Sequence, residues 1–294
     1  MRFAFNTAVA ALILSSLPAF VLATPVPSAV YTDPPHDAKF PASTAVLHIP
    51  TQGVAINGLA YLPAGPGLHP VLLICHGLPG NEKNLDLAQA VRRAGWVAVT
   101  FNYRGSWGSP GTFSFLGNLD DAAAVLAYLR DPHNAASLRL DPKRIVIAGH
   151  SMGGFVAART AARDGGLLGA VLISAWDPSK LKTHKAEVAF MASDMESLAG
   201  VTAESMATER ETHTHELSLI DAAAGLRGKP LLVLSADDGL APGTDALVAA
   251  IRAGDGNPRV TAEHVATDHS WSDRRIELQS TIIRWLSQLA AVSP

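Results

Sequence analysis

Short apolar runs rich in β-branched residues alternate along this chain with Ala-rich stretches of helical period. The predicted strands cover residues 45–49, 54–62, 71–75, 97–101, 145–148, 170–174, 231–235 and 259–264. Runs such as 71–75 and 145–148 are apolar at consecutive positions, as in strands covered by helices on both faces. Strand–helix alternation implies parallel pairing with right-handed crossovers. The predicted fold class is therefore α/β, with a mostly parallel eight-stranded sheet between two layers of helices.

Helices are predicted at 82–94, 118–130, 152–162, 245–252 and 272–289. The first two strands are joined by Thr51-Gln52-Gly53 and are expected to form an antiparallel hairpin at the sheet edge. Residues 177–229 contain helical patches at 182–193, 197–210 and 217–226, and no convincing strand. A structureless loop of that length is improbable in a compact domain, so this insertion is predicted to be a small helical cap.

The amino-terminal segment has the pattern of a signal peptide. A charged start precedes an apolar run at 8–22, and the small residues Val21 and Ala23 suit cleavage after Ala23. Residues 1–23 are predicted to be a leader and the protein to be exported, to the periplasm or the medium. The alternative is an uncleaved anchor, which Pro18 and the lack of a following basic cluster disfavour. Residues 24–43 are predicted to be an extended arm, and residues 44–294 one domain.

Composition excludes several classes of partner. The net charge is −3 and the Lys and Arg residues are scattered, so no basic stripe is available for nucleic acid or anionic membranes. The single cysteine, Cys75, cannot form an internal disulfide. No second apolar segment is long enough to cross a membrane, so the mature chain is predicted to have no membrane span.

The strongest local signal is Gly149-His-Ser151-Met-Gly153, which lies between a buried strand and a helix. A serine nucleophile needs a sharp turn that holds its hydroxyl out of the sheet, and glycines two positions away on each side let helix and strand approach. Ser151 is therefore predicted to be a nucleophile. The alternative is a structural glycine-rich turn with an idle serine.

The loop His76–Gly80 follows the strand at 71–75, where a loop that binds an oxyanion is expected. A tetrahedral intermediate needs two preorganised backbone N–H donors, and Leu78 and Met152 are predicted to supply them. His76 is predicted to brace this turn by hydrogen bonding and not to act as the base.

An acid and a base are expected later in the chain. Asp237 and Asp238 follow the strand at 231–235, and neither is excluded as the acid by its position. His269 follows the last strand, in the order Ser, Asp, His that this arrangement requires. His264 falls inside a strand pattern and is predicted to be structural.

Other residues outside these motifs could form a metal site, an ion pair or a pocket. A metal site is not predicted at Glu211, His213, His215 and Glu216, because histidines two residues apart point to different faces of a helix. Arg104 is predicted to form a structural ion pair with Asp120 or Asp121. Aromatic residues follow in the same loop and are expected either to line a substrate pocket or to pack against the core: Trp107, Phe113 and Phe115.

Across residues 45–289 the chain resembles the α/β-hydrolase superfamily. The motifs that carry the resemblance are His-Gly after a strand, Asn-Tyr-Arg-Gly-Ser-Trp-Gly-Ser-Pro-Gly, Gly-His-Ser-Met-Gly-Gly, Asp-Asp-Gly-Leu-Ala-Pro and Asp-His-Ser-Trp. The stretch 102–106 is similar to the catalytic domains of prolyl oligopeptidase-type (dipeptidyl aminopeptidase/acylaminoacyl peptidase-type) enzymes. The cap is similar to those of serine aminopeptidase and lysophospholipase-like members. The resemblance implies esterase, thioesterase or peptidase activity. Because no propeller domain and no Glu-Glu anchor for a substrate amino terminus are recognisable, it favours an esterase.

In the resembling family the acid precedes a proline by four positions, and Pro242 then implies Asp238 rather than Asp237. The resemblance thus implies a Ser151, His269, Asp238 triad that cleaves a small ester or peptide-like substrate through an acyl-enzyme. This mechanism requires no metal or organic cofactor. The alternatives are an exopeptidase and a non-catalytic binding protein of the same fold.

Overall fold

A single eight-stranded sheet organises the computed structural model, which describes residues 25–193, 195–255 and 259–292. The strands are β1 (Ser43–Thr51), β2 (Val54–Leu62), β3 (His69–Cys75), β4 (Val97–Phe101), β5 (Leu140–His150), β6 (Gly169–Ile173), β7 (Leu231–Ala236) and β8 (Val260–Val265). Their order in the sheet is β1-β2-β4-β3-β5-β6-β7-β8. The β1–β2 hairpin and the β2–β4 pair are antiparallel, and all other pairs are parallel. The predicted strands, edge hairpin and mostly parallel sheet are confirmed.

The helices are α1 (Leu85–Arg93), α2 (Gly117–Arg130), α3 (Pro132–Ser137), α4 (Met152–Arg163), α5 (His184–Ala192), α6 (Ala203–Thr212), α7 (Ala223–Leu226), α8 (Ala241–Asp255) and α9 (Arg275–Val292). Two of them begin three residues later than predicted. Before α1, Asn84 has a φ of +55°, which does not continue a right-handed helix. Before α9, Ser272 and Asp273 form a turn, and the helix begins at Arg275. The short α3 was not predicted, although Asp131 caps it by accepting from the N–H groups of His133 and Asn134 at 3.0 Å.

Two hydrophobic layers cover the sheet. Adjacent strand residues face opposite sides, so Leu73 packs in one layer with α2, α4 and α8 while Leu72 packs in the other with α1 and α9. The central strands β3 and β5 are therefore buried on both faces, as their continuous apolar sequences predict. This arrangement leaves the carboxyl ends of the parallel strands as the edge where connecting loops can gather polar side chains.

The segment between β6 and β7 contains α5, α6, a 3₁₀ turn at Ile220–Ala222 and α7, so the described part of the predicted cap is helical. A buried ion pair between Glu187 of α5 and Arg210 of α6 ties its two main helices together. Arg210 also donates to the carbonyl of Pro178 at 2.9 Å and lies 4.5 Å from the Trp176 ring. The cap is therefore fixed to the loop that leaves β6.

The residues before β1 lie against the helical layer of α1 and α9. Residues Ser28–Val30 form a 3₁₀ turn, and Arg93 donates to the carbonyl of Ala29 at 2.6 Å. Arg284 donates to the carbonyl of Pro25 at 3.3 Å. The predicted leader at 1–23 lies outside the described residues. Among the residues that are described, no helix is long and apolar enough to span a bilayer.

Candidate active site

The three predicted site residues follow strands at the same edge of the sheet. Ser151 comes directly after β5, Asp238 two residues after β7 and His269 four residues after β8. Strands β5, β6, β7 and β8 are consecutive parallel neighbours, so their carboxyl ends lie side by side. The sheet topology thus places an alcohol, a carboxylate and an imidazole on neighbouring loops.

Ser151 occupies a strained turn between β5 and α4. Its φ is +56° and its ψ is −120°, a backbone conformation that side-chain-bearing residues rarely adopt. Its N–H donates to the carbonyl of Ile173 on β6 at 3.0 Å, and its own carbonyl accepts from the N–H of Trp176 at 3.0 Å. A side chain at position 149 or 153 would collide with backbone, at Gly153 and at Cys75 respectively. Both glycines are therefore required for this turn, as the sequence predicts.

His269 and Asp238 form a hydrogen-bonded pair. His269 Nδ1 lies 2.8 Å from Asp238 Oδ2, and because an ionised carboxylate only accepts, Nδ1 carries the proton. The remaining ring nitrogen of His269, Nε2, then holds a free lone pair. This is the tautomer that a general base needs.

The surroundings of Asp238 keep it ionised. Burial alone would raise its pKa, but hydrogen bonds from His269, from the Leu240 N–H at 2.9 Å and from the Ser174 hydroxyl outweigh that cost and lower the pKa. Ser174 also accepts from the indole N–H of Trp271 at 3.1 Å. Sequence reasoning missed Ser174, since a serine ending a buried strand carries no motif.

The neighbouring carboxylate, Asp237, contacts a different histidine. Its Oδ1 lies 2.8 Å from Nε2 of His264, whose Nδ1 lies 2.9 Å from the Ser235 hydroxyl. The structure therefore brings Asp238 to His269 and directs Asp237 to His264. Of the two aspartates that the sequence left open, Asp238 is the one placed beside the predicted base.

The His269 loop packs on the residue that precedes the serine. His150 and His269 rings lie 4.6 Å apart, and His150 Nε2 donates to the carbonyl of His269 at 2.8 Å. Burial, followed by the nearby His269, lowers the pKa of His150 to about 4, so it is neutral there. Among the described contacts, no hydrogen bond joins the Ser151 hydroxyl to His269. The imidazole is thus held at the turn with its Nε2 unengaged by the serine.

The two predicted N–H donors flank the serine. Leu78 belongs to the loop after β3, and in that loop a Cβ on Gly77 would lie 3.1 Å from Ser151 Cβ. Met152 is the first residue of α4, where backbone N–H groups have no helical acceptor. In the described part of the chain neither Leu78 nor Met152 donates its N–H to another protein group. Both groups are available to an anionic oxygen.

His76 braces this loop, as predicted. Its Nδ1 donates to the carbonyl of Gly77 at 2.8 Å, and its ring packs 4.7 Å from that of Tyr103. Burial lowers the pKa of His76 to about 4. A neutral, buried imidazole engaged with its own loop fits a structural role.

Cys75 lies directly behind the serine turn. It ends β3, is fully buried, and its carbonyl is the group against which Gly153 packs. Burial raises the pKa of its thiol to about 12. Cys75 is therefore an apolar packing residue of the turn and is unsuited to act as a thiolate.

Two cavities adjoin these loops. One, of about 730 Å³, has Asp238, Trp176, Phe190 and Leu240 in its wall. The other, of about 780 Å³, lies between the loop of Pro79 and the cap. Of the aromatics considered for a pocket, Phe113 and Phe115 are buried and pack edge to face at 5.3 Å, whereas Trp107 lines the second cavity. The packing interpretation holds for the two phenylalanines.

The predicted ion pair of Arg104 is confirmed. Arg104 Nε lies 2.6 Å from Asp121 Oδ1, and Asp120 Oδ2 is 3.8 Å from its guanidinium. In the segment of Glu211, His213, His215 and Glu216, Glu211 contacts His184 at 2.9 Å and His213 lies 3.6 Å from Glu216. Within the ranges that the structure describes, no cluster of three His, Cys, Asp or Glu residues could hold a metal ion.

Comparisons with known proteins agree with this architecture. A family model for the alpha/beta hydrolase fold matches residues 70–241. An uncharacterised protein of Mycobacterium tuberculosis is 32% identical over 143 residues, which are 48% of this chain and 47% of that protein. The chain therefore aligns with about half the length of this curated relative.

Two solved structures are similar in fold. An esterase of Pyrobaculum calidifontis has a TM-score of 0.64 at 21% identity, covering 86% of this chain and 88% of that chain. A thermostable carboxylesterase cloned from a metagenomic library has a TM-score of 0.64 at 22% identity, covering 91% and 93%. The resemblance to prolyl oligopeptidase-type and serine aminopeptidase-type enzymes stays a prediction.

Proposed function

The chain belongs to the alpha/beta hydrolase fold family, and from this premise we propose that it is a serine hydrolase that cleaves small carboxylic esters. Ser151 is the nucleophile, His269 the general base and Asp238 the residue that orients the base. The backbone N–H groups of Leu78 and Met152 form the oxyanion hole. The structural neighbours named as esterases support the choice of an ester over a peptide substrate.

The reaction proceeds in two halves. His269 Nε2 takes the Ser151 proton as the hydroxyl oxygen attacks the ester carbonyl, and the negative oxygen receives the N–H groups of Leu78 and Met152. His269 then gives its proton to the departing alcohol, which leaves an acyl-enzyme. A water molecule, deprotonated by the same imidazole, attacks the acyl group and releases the acid and free Ser151.

One observation carries this proposal: a serine in a strained turn lies at the sheet edge that also holds a hydrogen-bonded Asp–His pair whose carboxylate is buried. Ser151 has a φ of +56°, and the His269 Nδ1 to Asp238 Oδ2 distance is 2.8 Å. The φ, ψ pair of Ser151 (+56°, −120°) lies outside the left-handed region that Asn84 occupies (+55°, +40°). Such a conformation costs about 1–3 kcal/mol and persists where the surrounding structure enforces it. The cost is explained if the turn presents the hydroxyl to a substrate.

The test is covalent labelling of the purified protein with a fluorophosphonate probe, which reacts with activated serines. The wild type is expected to be labelled, and Ser151→Ala to be inert. His269→Ala is expected to label at least about 100-fold more slowly, because the serine loses its base. Ser137→Ala alters an exposed serine of α3, outside the proposed triad, and is expected to label as the wild type does. A folded wild type that is not labelled would refute catalysis and leave the non-catalytic alternative.

Export remains part of the proposal because of the leader predicted at 1–23. Protein purified from the periplasm or the medium is expected to begin at Thr24 when its amino terminus is sequenced. Recovery only from the cytoplasm, with Met1 or Arg2 at the start, would contradict it.

A further inference from the structure

The carbonyl of Pro79 accepts hydrogen bonds from two side chains. Trp107 Nε1 lies 2.6 Å from it, and Ser197 Oγ of the cap lies 3.4 Å from it. Pro79 directly follows Leu78, and because proline has no N–H, its carbonyl is its sole backbone group that can form hydrogen bonds. The position of this peptide therefore depends on these two donors.

Trp107 is itself fixed by its neighbours. Its N–H donates to the carbonyl of Ser197 at 2.8 Å, its carbonyl accepts from Asn102 Nδ2 at 3.1 Å, and the Lys83 ammonium lies 4.1 Å from its ring centroid. The φ of Trp107 is +50°, which is unfavourable for a bulky side chain. Such a conformation persists where surrounding contacts determine it. The indole is thus a rigid support although it is partly exposed.

Gly80 makes the approach of the indole possible. Its φ is +98°, and a Cβ at this position would lie 2.9 Å from Trp107 Nε1 and would also overlap the His76 ring. The loop is consequently braced on both sides of Leu78. His76 holds the carbonyl of Gly77 on one side, and Trp107 holds that of Pro79 on the other.

We propose that Trp107, assisted by Ser197, is a positioning residue that keeps the Leu78 N–H aimed at the oxyanion. This inference rests on the proposed function. Donors in an oxyanion hole stabilise a transition state because they are oriented before the charge develops. The cap contributes to this positioning through Ser197. The segment of Ser197 also contacts the loop of Gly105, where the Ala199 N–H donates to the Gly105 carbonyl at 2.8 Å.

The first experiment compares Trp107→Phe with the wild type on p-nitrophenyl acetate. Phenylalanine keeps an aromatic face for Lys83, removes the indole N–H and has a smaller ring. We expect kcat to fall about 20-fold, less than the loss of a whole donor, with KM within about twofold. The inhibition constant of a trifluoromethyl ketone, whose adduct with the serine carries an oxyanion, is expected to rise by the same factor. Ser197→Ala is expected to cost about threefold and Ser197→Thr to restore the rate.

Trp285→Phe is the matched control, because it changes an indole of α9 in the other hydrophobic layer and is expected to leave kcat unchanged. A folded Trp107→Phe variant with unchanged kcat would overturn the proposal. A loss confined to KM would overturn it too, since it would make the indole a substrate contact.

Amide hydrogen exchange separates this proposal from the proposed function. In Trp107→Phe, peptides covering 76–82 are expected to exchange at least about fivefold faster, with the rest of the protein unchanged. Unchanged exchange would overturn the brace whatever the enzyme activity. A wild type that hydrolyses no ester, combined with faster exchange in the variant, would refute the proposed function and leave the brace supported.

Discussion

Two aspartate–histidine pairs lie beside each other where β7 and β8 end. The outer pair is Asp237 with His264 and the inner pair is Asp238 with His269, and in each the nitrogen–oxygen distance is 2.8 Å. The outer side chains are 62% and 50% exposed, whereas the inner aspartate is 4% exposed. The two histidines are similarly exposed, with His269 at 40%, so the pairs share their chemistry and their bond length and differ in the burial of the carboxylate.

The comparison teaches that a short Asp–His contact is not by itself a catalytic feature. Water competes for both members of the outer pair, so that contact contributes at most about 1 kcal/mol. The inner carboxylate accepts from His269, the Leu240 N–H and Ser174, and these bonds hold its charge and direction. Burial converts the same contact into a device that sets one tautomer of an imidazole.

The largest difference between the two pairs is expected when each aspartate is replaced. Asp238→Asn is expected to lower kcat by about 10³-fold or more, because an amide no longer enforces protonation of His269 at Nδ1. Asp237→Asn is the control and is expected to keep kcat within twofold and stability within about 0.5 kcal/mol. Steady-state ester hydrolysis and urea unfolding check both. Equal losses in the two variants would mean that burial does not separate the pairs.

A second contrast of buried and exposed pairs concerns stability. Asp121 is 1% exposed and accepts from Arg104 and from the Thr51 hydroxyl at 3.0 Å. Asp121→Asn removes the close carboxylate and leaves the guanidinium with the longer Asp120 contact and the Gly117 carbonyl at 3.0 Å, so the free energy of unfolding is expected to fall by about 3 kcal/mol. Glu277→Gln, in the exposed pair with Arg274, is expected to change it by less than about 0.5 kcal/mol.

Urea unfolding of Arg104→Gln, Asp121→Asn and the double variant measures the coupling directly. A coupling near zero would show that the two side chains contribute independently. The buried pair of Arg104 and Asp121 would then differ less from the exposed pair of Arg274 and Glu277 than their burial predicts.

Two buried histidines extend the comparison of buried and exposed groups to the dependence of stability on pH. The pKa values of His76 and His150 are lowered to about 4, mainly by burial, whereas the pKa of a histidine in the unfolded chain is about 6.5. As the pH falls below that value, the unfolded chain takes up protons first, so stability present at neutral pH is lost progressively toward pH 4. Between pH 6.5 and 5 the titration of each histidine is expected to lower the free energy of unfolding by about 2 kcal/mol.

Urea unfolding at pH 7, 6 and 5 measures this loss. His150→Gln, which removes one of the two titrations, is expected to reduce the change by about half, and His133→Gln on the exposed turn of α3 is expected to leave it unchanged. A slope that His150→Gln does not alter would place the acid sensitivity in other groups.

Much of the fold was predictable from the sequence because it depends on repeated local signals. The strands were recognisable from consecutive apolar residues, and the Ser151 turn from two glycines that packing requires. The start of α1 was less predictable because Asn84 adopts a positive φ, which breaks the helical pattern there. Tertiary contacts help to hold this conformation, among them the hydrogen bond that Asn84 Oδ1 accepts from Arg275 at 3.0 Å.

At the site, residue types and order identified Ser151 and His269 as candidates, whereas the choice between Asp237 and Asp238 needed either the family resemblance or the structure. Adjacent aspartates have equal intrinsic chemistry, and only packing buries one and exposes the other. Ser174 and the bond from Trp107 to Pro79 were not predictable, because each joins residues distant in sequence through a contact without a motif.

The chemical reactivity of Cys75 can report local opening of the sheet beneath the Ser151 turn. The thiol is buried, its pKa is raised to about 12, and the Cys75 carbonyl packs against Gly153 beneath the Ser151 turn. A water-soluble alkylating reagent can reach this sulfur only while that part of the sheet is open. Since the chain has a single cysteine, the alkylation rate counts those openings without any introduced label.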